Sequence, residues 1–187
     1  MLKSPNKQDE RIIIGVDPGT VALGYGLIKV EGKTLSALDY GIIDLSSLKS
    51  HSLKLKAIAE QMGTLIDQYH PDEMALESPF YGKNIQVALK LGRAQGVAMA
   101  AALIREIPIN EYAPRKIKQS VTGNGNAAKE QVAAMLRTIL HLKNQTIVLD
   151  ATDALGVAVC HYFQAQSTSQ KYTGWNSFVQ KNPNRIK

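Results

Sequence analysis

The sequence predicts an α/β domain with a mixed central sheet, a three-strand meander followed by parallel strands, flanked by helices. Three observations carry this. Residues 12–16 form an apolar, β-rich run that ends in one acid, Asp17. Pro18-Gly19-Thr20 then turns the chain into a second run over 23–30 that can pair back antiparallel. The short stretch EMALE at 73–77 follows a helical segment and a Pro-Asp turn, so it reads as a buried strand returning parallel to the first.

The bounds are consistent with that class. A chain of 187 residues fits one domain plus tails, and 44% hydrophobic content is enough to bury a core. We expect a polar arm over 1–11, a folded domain over 12–165 and a polar tail over 166–187. The net charge of +6 and the sequence pI of about 9.4 favour a polyanionic partner, against a basic surface with no partner at all. Cys160 is the single cysteine, which excludes an internal disulfide and gives no support to a thiolate zinc site. The first eleven residues lack the apolar segment of a signal peptide, and no apolar run is long enough to span a bilayer. The expected compartment is the reducing cytoplasm, with no membrane partner.

The elements follow in order. Residues 35–45 form the third strand after the turn Glu31-Gly32-Lys33, and 46–52 form a polar loop. Over 53–69, Leu55, Ile58, Met62, Leu65, Ile66 and Tyr69 fall on one helical stripe, which His70-Pro71 ends. His51 and His70 flank this helix and read as surface or cap residues. The strand 73–77 ends in Glu77, repeating the Asp17 arrangement, and parallel strands bring their C-terminal ends to one edge.

In the loop 78–84, SPFYGKN, the aromatics Phe80 and Tyr81 stand beside Lys83. That pattern suggests stacking on bases; the competing reading packs Phe80 beneath the loop. A long helix covers 84–106, with Gly92, Gly96 and Ala100 on one face. Small residues there admit either the sheet or the same helix of a second subunit. Residues 107–112 form a strand near an edge, given Pro108, and Pro114 opens a helix.

Arg115, Lys116 and Lys118 crowd that helix until Thr122-Gly123-Asn124-Gly125-Asn126 breaks it. The helix 127–142 carries Lys129 near its start. These cations form either a solvated basic face or a phosphate track. The last helix, 149–164, carries Asp150 and Asp153 on one face of its first turns. Acids there also suit the helix dipole. Leu155, Val157, Ala158, Val159 and Tyr162 bury the helix, and His161 is expected to pack or to face solvent rather than bind a metal. Trp175, Phe178 and Val179 in the tail have helical spacing and dock on the body or on a partner.

Asp17, Glu77, Asp150 and Asp153 then form an all-oxygen set. Asp17 alone could be a turn cap, but an acid ending so apolar a run needs a partner. Such a set suits Mg²⁺ or Mn²⁺ rather than zinc. Carboxylates sharing a pocket repel one another, and two cations would balance them. Two ions together can clamp the attacking and leaving oxygens of an in-line phosphoryl displacement. A basic protein with that site reads as a phosphodiesterase acting on nucleic acid.

Five blocks carry a resemblance: GVDPGT with GYGLI, ALESPFYGKN, ALKLGRAQGVAMAAAL, EYAPRKIKQSVTGNGNAAKEQV and DATDALGVAVCHY. In order and spacing they resemble the RuvC family of bacterial Holliday-junction resolvases, from Ile12 to about Phe163. The resemblance implies a ribonuclease-H-like fold, a homodimer, and Mg²⁺-dependent symmetric nicking of a four-way DNA junction. It implies metal-binding carboxylates at Asp17, Glu77, Asp150 and Asp153, a junction-centre aromatic at Phe80, and DNA-contacting cations at Lys118 and Lys129. Cooperation with the RuvA and RuvB branch-migration proteins is implied as well.

GVDPGT also resembles the first phosphate loop of actin-like and sugar-kinase ATPases. Those need a second domain and a second phosphate loop, for which the chain is too short. A non-cutting junction scaffold and a small RNA-processing nuclease of the same superfamily also compete with the resolvase reading. The intact acid set argues against the scaffold.

Overall fold

The computed structural model describes residues 10–78, 84–142 and 149–169, without the side chains of 149–150 and 167–169. Strand β1 (Glu10–Asp17) runs through the middle of a five-stranded sheet. On one side it pairs antiparallel with β2 (Ala22–Glu31), which pairs antiparallel with β3 (Thr34–Asp44). On the other side it pairs parallel with β4 (Glu73–Glu77), and β4 pairs parallel with β5 (Ile109–Tyr112). The order β3-β2-β1-β4-β5 is the expected meander followed by parallel strands.

Alternation along the strands assigns the two faces. Ile14 and Val16 of β1, with Met74 and Leu76 of β4, pack under helices α1 (His51–Tyr69) and α2 (Ile85–Leu103). There they meet Ile58, Met62, Ile66, Ala94 and Ala98. Ile13 and Ala75 point the opposite way, toward α3 (Pro114–Thr122), α4 (Lys129–Ile139) and α5 (Leu149–Ser169). On this side Leu155, Ala158 and Val159 of α5 close over Ile13 and Ile28. Fully burying side chains of this kind stabilises by roughly 1.5–3 kcal/mol each.

α5 lies unusually close to the sheet. Gly15 and Gly26 are paired across β1 and β2. A Cβ on Gly15 would stand 2.1 Å from the Ala154 carbonyl oxygen, and one on Gly26 would stand 2.8 Å from the Leu155 nitrogen.

Local chemistry sets the helix ends. Ser50 Oγ accepts from the Leu53 N–H, and Asn84 Oδ1 from those of Gln86 and Val87. Such N-caps are worth about 1 kcal/mol each. His70 caps α1 in the left-handed region, at φ 47°, as its place before Pro71 suggested. α2 stops at Leu103, three residues short of the expected Glu106. There the Ile107 N–H turns back to the Ala102 carbonyl, and Glu106 takes φ 59°. Arg105 clamps the corner with bonds of 2.5 and 2.6 Å to Asp67. β5 starts after Pro108, which has no N–H to donate but whose carbonyl accepts from Met74.

His161 packs, the first of the two outcomes expected for it; it is 3% exposed. Burial, helped by Cys160 and Glu73, pushes the Tyr112 hydroxyl up to about 12, so Tyr112 keeps its proton. That hydroxyl is hydrogen-bonded to His161 Nδ1 at 2.7 Å. The other ring nitrogen, Nε2, is hydrogen-bonded to Glu73, which also holds Arg11 at 2.8 Å.

No helix among the described residues is long and apolar enough to cross a membrane. The arm over 1–9, Phe80, Tyr81 and Lys83, and the tail with Trp175, Phe178 and Val179 lie outside the described residues.

Candidate active site

The parity that builds the sheet also builds the site. Asp17 lies two positions after Gly15, and Glu77 two positions after Ala75. Both carboxylates therefore leave the sheet on its α3–α5 side, at the C-terminal ends of neighbouring parallel strands. A cavity of about 210 Å³ opens there, with Asp17, Glu77 and Asp153 in its walls. Asp153 comes from the second turn of α5, whose close approach to the sheet the two glycines permit.

Two cations complete the polar lining. Lys118 is carried by α3, and Lys129 is the first residue of α4. Lys129 Nζ stands 2.7 Å from Asp153 Oδ2. Pro114, Ile117 and Val132 form an apolar wall. Sequence reading did not assign that wall, although the spacing of Ile117 and Val121 on α3 marks the face that turns inward.

The electrostatics are those of crowded acids. Burial pushes the Glu77 carboxyl above the usual range, and the negative charge of Asp153 adds to the rise. Lys129 and Lys118 pull it back. Added positive charge in the cavity would offset both causes of the rise.

The donor set fits a hard divalent cation. Asp17, Glu77 and Asp153 offer carboxylate oxygens, and among the described residues no His or Cys lines the cavity. Among the described residues no three acidic, His or Cys groups form a ready-made clasp for one ion. Asp150 stands in the first turn of α5, three residues before Asp153, and its side chain lies outside the described part.

The other expected residues divide. Lys118 and Lys129 reach the cavity; Arg115 and Lys116 are exposed and do not line it. Phe80, Tyr81 and Lys83 follow Glu77 directly in the chain and belong to the undescribed segment.

A mixed sheet with acids ending adjacent parallel strands, joined by an acid at the head of a crossing helix, defines a ribonuclease-H-like domain with a carboxylate cavity. The family described as "Crossover junction endodeoxyribonuclease RuvC" matches residues 13–161, and the chain belongs to that family. A protein of that name from Cytophaga hutchinsonii is 57% identical over 99% of this chain and 92% of its own length. Another, from Christiangramia forsetii, is 55% identical over the whole of both chains. A solved structure of Thermus thermophilus RuvC in complex with Holliday junction substrate superposes with a TM-score of 0.80 at 31% identity. That match covers 85% of this chain and 97% of the Thermus chain.

Proposed function

We propose that the chain is an endodeoxyribonuclease that resolves four-way (Holliday) DNA junctions by paired, symmetric, Mg²⁺-dependent nicks during recombination and repair. One observation carries the chemistry: Asp17, Glu77 and Asp153 share a cavity with Lys118 and Lys129, all within the stretch that matches the family. The net charge of +6 suits a polyanionic substrate.

In this reading Asp17, Glu77, Asp150 and Asp153 hold Mg²⁺, or Mn²⁺, as two ions per site. Held there, such ions would make an attacking water more acidic and would neutralise charge on the phosphoryl oxygens. Water attacks phosphorus, the bond to the 3′ oxygen breaks, and a 3′ hydroxyl and a 5′ phosphate are left. Asp17 ends the central strand. Lys118 and Lys129 hold the phosphate backbone, and Lys129 must share itself between DNA and Asp153. Phe80, with Tyr81 and Lys83 beside it, stacks on unpaired bases at the junction centre; Arg115 and Lys116 contact the backbone outside the cavity.

A homodimer supplies the two sites that paired nicks require. Ile85, Leu89, Gly92, Gly96, Ala100 and Leu103 share one exposed face of α2. Ile85 is 72% exposed, and a Cβ on Gly92 or Gly96 would meet nothing within 4 Å. That face is open in one subunit, which favours the second-subunit reading of the small residues over packing on the sheet. Residues 12–165 form the nuclease unit, working with RuvA and RuvB in the cytoplasm. Incubation with a labelled four-way junction, a linear duplex of the same sequence and an RNA–DNA hybrid, each with and without Mg²⁺, tests the proposal. Cutting only the junction, only with the ion, supports it; equal cutting of the duplex or cutting of the hybrid alone contradicts it.

A further inference from the structure

A second cavity takes no part in that chemistry. α1 leads into β4 and α2 leaves it, so both helices begin at the sheet edge where Asp17 and Glu77 stand. Ala94 and Ala98 fill the space between α2 and the sheet. Val87 is on the same side of the helix but two turns nearer its start, beyond the packed core. A cavity of about 290 Å³ occupies that corner. Its walls include Thr20, His51, Val87 and three lysines: Lys49, Lys54 and Lys90. It lies on the opposite face of the sheet from the nuclease cavity. The turn between β1 and β2 separates the two, with Asp17 on one and Thr20 on the other.

The corner is built for an anion. No acid lines it. The first turns of α1 and α2 hold no acid either, and their N-caps, Ser50 and Asn84, are neutral. Both helices therefore present the positive ends of their dipoles uncompensated. Lys54 is held in place by a 2.8 Å bond to the Thr20 carbonyl, and its charge also reaches Asp44, which is outside the lining. Lys49 and Lys90 are exposed at the rim. His51 Nε2 is buried and has no hydrogen-bond partner among the described residues. A buried polar atom of that kind is normally met by a ligand or a water.

We propose that this cavity binds a backbone phosphate of the junction DNA, a second phosphodiester separate from the one cut at Asp17. The inference rests on the junction-resolving reading. Among the described residues the lining has positive charge but no carboxylate and no Phe, Tyr or Trp ring, a composition that suits a phosphate better than a base edge. DNA held on both sides of the β1–β2 turn is fixed in the position it takes across the sheet edge.

The test is junction binding by the double variant Lys49→Ala/Lys90→Ala, with Lys49→Arg/Lys90→Arg as its charge-preserving counterpart. Affinity for a labelled four-way junction is measured by gel shift in EDTA over a salt series. At 0.1 M salt the alanine variant should bind about tenfold to a hundredfold more weakly, with a slope of log Kd against log salt shallower by about 2. The arginine variant should restore both. A wild-type Kd and slope in the alanine variant, or no recovery with arginine, overturns the site. A wild-type protein that binds junction no better than linear duplex instead removes the functional reading on which the site rests.

Discussion

Gly15 and Gly26 face each other across β1 and β2, and the backbone of α5 rests on the pair. The contact positions Asp153 beside Asp17 and Glu77, so it belongs to the site as much as to the fold. Gly15→Ala would drive a Cβ to 2.1 Å from the Ala154 carbonyl oxygen, and α5 would have to lift. The expected loss is about 3 kcal/mol. For a chain of this size that lowers the melting temperature by about 10 °C. An unchanged melt by circular dichroism would show that the helix is not seated as described.

Gly96 is the opposite case, since its face of α2 is open. Gly96→Glu should leave the melting profile of the subunit nearly unchanged, because an exposed glutamate favours helix over glycine by up to about 1 kcal/mol. In a dimer that pairs α2 with α2, the same charge is buried against its own copy. Analytical ultracentrifugation at micromolar concentration should find dimers of the wild type and monomers of the variant. Dimers of both would move the interface elsewhere.

Glu77 links pH, metal and stability. Its carboxyl is held above the usual range in the folded chain, first by burial and then by Asp153. A raised folded value means that stability is lost as pH rises through it. Glu77→Gln should therefore melt higher than wild type at pH 7 without metal. The gap should close below the ordinary glutamate range, where both folded and unfolded wild type carry the proton. Mg²⁺ should raise the melt of the wild type more than that of the variant. Paired melts at pH 4 and 7, with and without Mg²⁺, measure all of this, and a variant less stable than wild type at pH 7 would contradict it.

Lys118 touches the cavity without an ion pair among the described residues, whereas Lys129 is bonded to Asp153. Lys118→Ala should weaken junction binding and flatten its salt dependence by about one unit of slope. Metal binding, followed by calorimetry in the absence of DNA, should persist. Loss of metal binding would make Lys118 part of the metal site instead.

Much of this architecture was legible in the chain. Asp17 and Glu77 stood out because an acid ending an apolar strand needs a partner, and parallel pairing brings such ends together. The lysines of the first cavity were legible as a basic segment, although only Lys118 and Lys129 among the candidates in α3 and α4 reach it. The Gly15–Gly26 seat was not legible, since it depends on register between strands and on a helix more than a hundred residues later. The second basic cavity was hidden for a similar reason: Lys49, Lys54 and Lys90 come from separate elements and meet only in the fold. His51, read as a surface or cap residue, has one ring nitrogen buried there. The end of α2 was misplaced because Ile104 to Glu106 continue the helical pattern, while the chain turns to bury Ile107.

The central claim is that the carboxylates at the sheet edge perform the cutting while cations around them hold the DNA. Asp17→Asn keeps the size of the side chain and removes its charge. The most direct measurement is single-turnover cleavage of a labelled four-way junction in Mg²⁺, run beside gel-shift affinity for the same junction in EDTA. The account predicts a rate lower by roughly 10³-fold or more, since both reacting oxygens depend on what Asp17 holds. Affinity should be kept or slightly increased, because one negative charge facing the DNA is gone. Cleavage by Asp17→Asn at a near wild-type rate would contradict the account.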